Sequence, residues 1–145
     1  MEDFESLMQE HDHLDDLSIA LKGAVGANRD LATILKIRSD LSLLLETHLA
    51  REDRFLYEPL LEREADDLAR AVDAFHRTFA ELATDWADYL RGWDPDAIAS
   101  DPEGFAGETL HIVARLRARI AEENRLLYPR ALIEGHIRLR AARAV

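Results

Sequence analysis

The sequence of 145 residues contains no cysteine, which excludes disulfide frameworks, zinc ribbons, iron–sulfur clusters and thiol catalysis. Proline and glycine are scarce, at four and six residues, so long stretches of the chain carry no residue that breaks a helix. Positive charge is scarce as well, because 18 Lys and Arg are outnumbered by 29 Asp and Glu. The resulting net charge of −11 disfavours nucleic acid and anionic lipid as main partners.

The sequence also lacks the signals of membrane insertion and of several enzyme classes. No apolar run approaches the length that spans a membrane, and the first residues are acidic where a signal peptide is basic, so we expect a cytoplasmic protein. Glycine-rich phosphate loops and nucleophile elbows are missing, and we therefore expect no enzymatic activity. The length and the hydrophobic share of 48% are typical of one soluble domain.

Apolar residues recur at helical spacing in four segments, and no alternating strand pattern competes with them. The predicted helices cover about residues 3–22, 28–58, 64–92 and 104–128, with breaks at Gly23, Pro59, Pro95 and Pro129. A polar connection is predicted over residues 96–103, and Leu110 begins the inward face of the last helix. Four helices with mostly short connections predict an all-α, up-down-up-down antiparallel four-helix bundle over residues 1–130. A basic helical tail is predicted over residues 131–145.

Two stretches of the sequence resemble each other at an offset of 71 residues. Residues 52–57 read EDRFLY and residues 123–128 read ENRLLY, and a proline comes shortly after each stretch. The second and fourth helices are therefore predicted to end alike, each with a glutamate on its inward face.

Five polar residues lie on inward faces that ordinarily exclude charge, because an unpaired buried carboxylate costs several kcal/mol. At about 1.5 Å of rise per residue, each lies roughly 9 to 18 Å from the same end of the predicted bundle. Any one of them alone is typical of a satisfied core histidine or a rim glutamate. Together they form the donor set of a non-haem iron or manganese site, with imidazole nitrogens and bridging carboxylates. These residues are His11, His48, Glu52, His76 and Glu123.

The motifs that contain these residues resemble those of a known family. They are Glu10-His11, His48-x-x-x-Glu52, Phe75-His76, and Glu122-Glu123 followed by Leu126-Leu127-Tyr128-Pro129. Over residues 3–130 the chain is similar to hemerythrin-like (HHE cation-binding) domains. Such domains are four-helix bundles with a non-haem di-iron centre; they bind oxygen, sense oxygen, redox state or iron, or help repair iron centres damaged by nitric oxide. The resemblance implies iron as cofactor, His11, His48 and His76 as terminal ligands, and Glu52 and Glu123 as bridges.

One position departs from the family pattern. The family has His-x-x-x-Glu on the fourth helix too, but the residue four before Glu123 is Arg119. In one interpretation Arg119 points aside and leaves an open position at a mononuclear or asymmetric site. In the other, its guanidinium enters the site and pairs with Glu52 and Glu123 in place of a metal ion.

Three further residues are candidates for contacts around the site. Tyr57 and Tyr128 lie near the same end of the predicted bundle, where they either donate hydrogen bonds to the ligands or serve as packing. Asp15, one turn after His11, offers an additional oxygen.

Two functional hypotheses follow. The first is a non-haem iron-binding protein, with one or two iron ions, that senses, binds or stores oxygen, nitric oxide, redox signals or iron. The second is a metal-free regulatory or interaction module that forms a homodimer or binds a regulatory protein. For this second hypothesis, the aromatic residues near the third connection offer apolar contacts; they are Trp86, Trp93 and Phe105.

Overall fold

The computed structural model describes residues 4–58 and 67–129, and it is all-helical there, without a strand. The helices are α1 (Phe4–Gly26), α2 (Leu31–Glu52), α3 (Asp67–Gly92), α4 (Pro95–Ser100) and α5 (Pro102–Glu122). A π-helical turn follows α2 at Asp53–Tyr57, and a second follows α5 at Glu123–Leu127. The all-α prediction is confirmed for these ranges. The predicted tail over 131–145 and the predicted break at Pro59 lie outside the described residues. None of the described helices has the length and apolar character needed to cross a membrane.

The prediction of a polar connection over residues 96–103 is wrong, because α4 and the start of α5 cover most of this segment. Asp94 accepts a hydrogen bond from the Ala97 amide at 2.8 Å and thereby caps α4. Asp101 accepts one from the Gly104 amide at 3.0 Å and caps α5. A proline follows each capping aspartate, where its missing N–H costs nothing and its fixed φ favours a helix start. The two Asp-Pro pairs therefore start two helices.

Helix α1 extends beyond the predicted break at Gly23 and continues to Gly26. Glycine inside a helix costs about 1 kcal/mol relative to alanine. Leu21 and Ala24 are buried on either side of Gly23, and their packing outweighs this cost. The helix gives way at Asn28, whose φ of 52° lies in the left-handed region. Asp30 then caps α2, accepting a hydrogen bond from the Thr33 amide at 3.2 Å.

The helices enclose two apolar clusters. The larger one contains Leu41, Trp86 and Leu116 and draws on α1 to α5. The smaller one surrounds Tyr57 and Tyr128 at the two π turns. Helices α1 to α3 contribute to both clusters, while the π turns contribute to the smaller one.

The inward face of α5 differs from the prediction at Leu110, which is 39% exposed. Counting back from buried Leu116 in steps of three and four residues leads through Ile112 and Val113 to Thr109 and Phe105, all buried. Leu110 follows Thr109 and is rotated about 100° from it around the helix. It therefore faces solvent.

Hydrogen-bonded pairs between helices show how neighbours are oriented. Between α3 and α5, Asp85 pairs with Arg115 and Tyr89 with Thr109, so residue numbers rise along one helix as they fall along the other. The same opposite progression relates α2 to α3, through the pairs Arg38–Trp93 and Ser42–Trp86. These pairs make the neighbouring helices antiparallel. The complete up-down-up-down order stays a prediction.

Candidate metal centre

Four buried polar side chains converge between α1, α2 and the second π turn. They are His11, His48, Glu52 and Glu123, and one ligand atom from each lies within 4.8 Å of the others. All four are at most 2% exposed. Burying several carboxylates and imidazoles so close together costs free energy unless they form hydrogen bonds and ion pairs with one another or bind a cation. We refer to these four residues as the His2Glu2 centre.

The helical geometry of α2 positions half of this centre. His48 and Glu52 are four residues apart in the last turn of the helix, so both side chains project from one face. His11 faces them from α1, and Glu123 comes from the first position of the second π turn. Three chain segments therefore contribute to one site.

The donor atoms lie at hydrogen-bonding or slightly longer distances, which are close to the spacing of ligands around one ion. His48 Nε2 lies 2.8 Å from Glu52 Oε1, and His11 Nε2 lies 3.1 Å from the same oxygen. His11 Nε2 is 3.5 Å from Glu123 Oε1. Two ligands about 2.1 Å from a common ion are about 3.0 to 3.4 Å apart, depending on the coordination geometry. The second oxygen of Glu52, Oε2, is buried and has no hydrogen-bond partner among the described residues. A carboxylate that contacts two imidazoles through one oxygen and has a second, orphaned oxygen fits a metal ion.

Both imidazoles are oriented by hydrogen bonds on the side away from the centre. His11 Nδ1–H donates to Asn124 Oδ1 at 2.6 Å, and His48 Nδ1–H donates to Glu10 Oε1 at 2.7 Å. Glu10 is itself paired with Arg51. Such acceptors fix the ring and direct Nε2 toward the centre, as is usual for metal-binding histidines. Sequence analysis missed the contacts of Glu10 and Asn124, although both residues directly neighbour predicted ligands.

The two tyrosines reach the centre in a crossed arrangement. The hydroxyl of Tyr57, in the first π turn, donates to Glu123 Oε2 at 2.8 Å. The hydroxyl of Tyr128, directly after the second π turn, donates to Glu52 Oε1 and lies 3.0 Å from His11 Nε2. Each of the two similar sequence stretches therefore supplies a hydroxyl to the glutamate of the other. Tyr57 is the last residue of the first π turn, and Tyr128 directly follows the second one, so both hydroxyls are positioned by turns that hold about one residue more than a turn of α-helix.

Arg119 lies inside, next to the centre. It is 8% exposed, its Nη2 donates to the Tyr57 hydroxyl, and its Nε lies 3.7 Å from Glu123 Oε2. Among the described residues, its carboxylate neighbour is Glu123 and not Glu52. Arg119 thus lies closest to Oε2 of Glu123, whereas His11 lies closest to Oε1.

Comparison with known proteins decides the family. The family model of the hemerythrin HHE cation-binding domain matches residues 3–131. The chain belongs to the hemerythrin HHE family. Searches of curated proteins and of solved structures gave no match. The match confirms the resemblance found in the motifs and makes metal binding the chemistry to test at the His2Glu2 centre.

Two residues that the sequence predicts around a metal site, His76 and Asp15, have partners outside the His2Glu2 centre. His76 Nε2 is 2.8 Å from Asp53 Oδ1, and its ring packs 5.3 Å from the ring of Tyr57. The group of four that could hold an ion does not include His76. Asp15 accepts a hydrogen bond from Arg117 Nε at 2.7 Å. In this arrangement each of the two side chains binds a partner outside the His2Glu2 centre.

The buried charges of the HHE domain shift one another's protonation. Burial lowers the pKa of His11, but hydrogen bonds to Glu123 and Glu52 outweigh it and raise the pKa to about 10. Burial acts upward on the pKa of Glu52, yet hydrogen bonds with His11 and His48 hold it well below its usual range. Burial and the charge of Glu52 raise the pKa of Glu123 to about 6. Without metal, a proton on His11 therefore contributes positive charge at the centre, in addition to the guanidinium of Arg119 beside Glu123.

These pKa values predict a pH dependence of the metal-free HHE domain. A group whose pKa is raised on folding contributes stability below its unfolded value and loses it as the pH rises through its folded value. For His11 this window runs from pH 6.5 to about 10. We expect the free energy of unfolding of metal-free protein, measured in urea, to fall across this window. The decline should disappear in His11→Gln, and a wild-type curve that rises over the same window would contradict the assignment.

Proposed function

We propose that this HHE domain binds one non-haem iron ion in the His2Glu2 centre and serves in sensing, binding or storing oxygen, nitric oxide, redox signals or iron. The observation that carries the proposal is the carboxylate of Glu52, whose Oε1 contacts two imidazole nitrogens while its buried Oε2 has no hydrogen-bond partner among the described residues. Two histidines with carboxylates and open positions are a typical environment of non-haem Fe(II). Iron held in this way supplies a site at which oxygen or nitric oxide can bind.

Around that ion, four side chains would act as ligands and two tyrosines would hold the carboxylate ligands in place. His11 and His48 would offer Nε2, while Glu52 and Glu123 would offer carboxylate oxygens. The crossed tyrosine hydroxyls hold both carboxylates in place, because each donates a hydrogen bond to one of them. An up-down-up-down bundle would bring the three contributing segments to one end, as the antiparallel pairs of helices suggest.

The proposed stoichiometry of one ion follows from two side chains. His76, which the family resemblance implies as a ligand, is paired with Asp53. Arg119 occupies the position of the histidine expected on the last helix, and its guanidinium lies against Glu123. A second ion would lack imidazole ligands at both of these positions.

The metal-free alternative has one observation in its favour, namely the proximity of Arg119 to Glu123. Its proposed pairing with Glu52 has no counterpart among the described contacts. Its candidate contact surface is weaker, because Trp86 and Phe105 are buried in the larger apolar cluster. Trp93 packs 5.8 Å from the Phe105 ring and donates a hydrogen bond from Nε1 to Glu108. We therefore place this alternative second.

The direct test is iron content per chain after anaerobic Fe(II) loading and desalting. We expect about one iron for wild type, almost none for His48→Ala, and nearly the wild-type amount for His76→Ala, whose side chain lies outside the centre. His111→Ala is the matched control, because His111 is exposed. Two irons per chain in wild type, lowered by His76→Ala, would replace the single-ion proposal with a di-iron site. No iron in wild type would favour the metal-free module.

A further inference from the structure

Arg119 places a permanent positive charge beside the His2Glu2 centre. Its Nε lies 3.7 Å from Glu123 Oε2, and its Nη2 donates to the Tyr57 hydroxyl, which donates in turn to the same oxygen at 2.8 Å. The other oxygen of Glu123 is 3.5 Å from His11 Nε2. Because a guanidinium does not lose its proton in proteins, the charge of Arg119 is the same at every pH at which the centre exists. Glu123 therefore stands between a histidine of the centre and a fixed cation.

Two aromatic rings hold the guanidinium of Arg119 in this place. Its Cζ lies 5.2 Å from the centre of the Phe75 ring and 5.8 Å from that of the Tyr57 ring, distances at which cation and ring attract each other. The side chain of Arg119 is buried, so salt and water screen its charge much less than that of a surface arginine. Arg119 cannot move away from the centre without giving up both rings and the hydrogen bond to Tyr57.

The charge of Arg119 is only partly neutralised. Among the described residues, Glu123 is the carboxylate within ion-pairing distance of its guanidinium, and Glu123 also belongs to the His2Glu2 centre. Two carboxylates and one guanidinium give these side chains a formal charge of −1 when both histidines are neutral. A divalent ion would bring the buried group to +1, whereas a trivalent ion would bring it to +2. Excess charge away from water is costly, and more so with each unit.

We propose that Arg119 determines the charge of the ion that the His2Glu2 centre accepts, favouring a divalent over a trivalent cation. The inference rests on the proposed iron site and specifies its oxidation state as Fe(II). The repulsion between Arg119 and an ion grows in proportion to the charge of that ion, so it acts more strongly on Fe(III) than on Fe(II). With a histidine at this position, in the family pattern, the fixed charge would be missing.

The experiment compares Fe(II) with Ga(III), a trivalent ion that resembles Fe(III) in size and has no redox chemistry here. Full-length protein competes for each ion with a chelator of known affinity, without oxygen in the case of Fe(II). We expect wild type to bind Fe(II) more tightly than Ga(III). Arg119→Gln should change the ratio of the two dissociation constants in favour of Ga(III) by at least about tenfold, because it removes the fixed charge. Arg119→Lys keeps that charge and should stay closer to the wild-type ratio.

Arg117→Gln is the matched control, because Arg117 lies two positions earlier on α5, is 40% exposed and is paired with Asp15. It should keep the wild-type ratio. A folded Arg119→Gln with the wild-type ratio would overturn the proposal. If Arg119→Gln fails to fold, wild type still decides, since Ga(III) bound as tightly as Fe(II) would overturn the proposal while leaving the iron site intact. Binding of neither ion by wild type would contradict the proposed iron function and this inference together.

Discussion

Glu52→Gln is expected to lower the affinity for Fe(II) by at least about 100-fold. The carboxylate of Glu52 contacts both imidazoles of the centre, at 2.8 Å from His48 and 3.1 Å from His11. Glutamine has nearly the same shape but carries no negative charge and has one ligating oxygen fewer. The loss should appear in a competition titration of Fe(II) between the protein and a chelator of known affinity.

Glu46→Gln is the matched control for this experiment. Glu46 lies on the same helix and is exposed, so the same chemical change is made outside the centre. We expect its Fe(II) affinity to equal that of wild type. If Glu52→Gln remained folded in urea unfolding experiments and bound Fe(II) within about threefold of wild type, the ion would have to be held somewhere else in the chain.

Trp86→Ala is expected to reduce the free energy of unfolding by about 3–5 kcal/mol, the range observed when large core aromatics are truncated. The side chain is 3% exposed and belongs to the larger apolar cluster. Its ring lies 5.2 Å from that of Tyr89, and its Nε1–H donates to Ser42 Oγ at 3.1 Å. The substitution therefore removes packing and the link between α2 and α3 together. Equilibrium unfolding in urea measures the loss.

Two companion variants separate these contributions. Ser42→Ala keeps the ring but leaves the indole N–H without its acceptor, which should cost about 1–3 kcal/mol. Trp86→Phe keeps most of the packing and removes the donor, so its cost should be smaller than that of Trp86→Ala. Iron content of the folded fraction should stay unchanged in all three, because Trp86 belongs to the cluster away from the π turns. A loss below about 1 kcal/mol for Trp86→Ala would mean that this indole is not a core residue.

The depth of the polar residues along the helices could be predicted from the sequence because the helical rise is constant. His48 and Glu52 share a face through their spacing alone, and the distance to the breaks placed His11 and Glu123 at a similar level. The direction of His76 could not be predicted in this way. Phe75 and His76 are about 100° apart around α3, so a small rotation decides which of them faces inward. The rotation in the structure brings His76 to Asp53, a residue that sequence analysis did not consider.

The two π turns could not be predicted from the sequence either. The similarity of residues 52–57 and 123–128 predicted that the two helices end alike, but a π turn contains an additional residue that no local propensity reveals. That residue changes the direction of everything after it, including Tyr57 and Tyr128. The direction of Arg119 depended on packing as well, because its two interpretations differ by a side-chain rotation alone. Its contact with Tyr57 required the first π turn to be known.

The crossed tyrosines connect parts of the chain that are remote in sequence. Tyr57 and Glu123 are 66 residues apart, and Tyr128 and Glu52 are 76 residues apart. If either π turn unwound, the glutamate belonging to the other stretch would lose its hydroxyl donor while still buried, which makes separate opening unfavourable. The two turns therefore form one cooperative unit of local unfolding, although their first residues, Asp53 and Glu123, lie 70 positions apart in the sequence. A change in the charge or position of either glutamate is then expected to alter the stability of both turns, and therefore the chain after Tyr57 and after Tyr128.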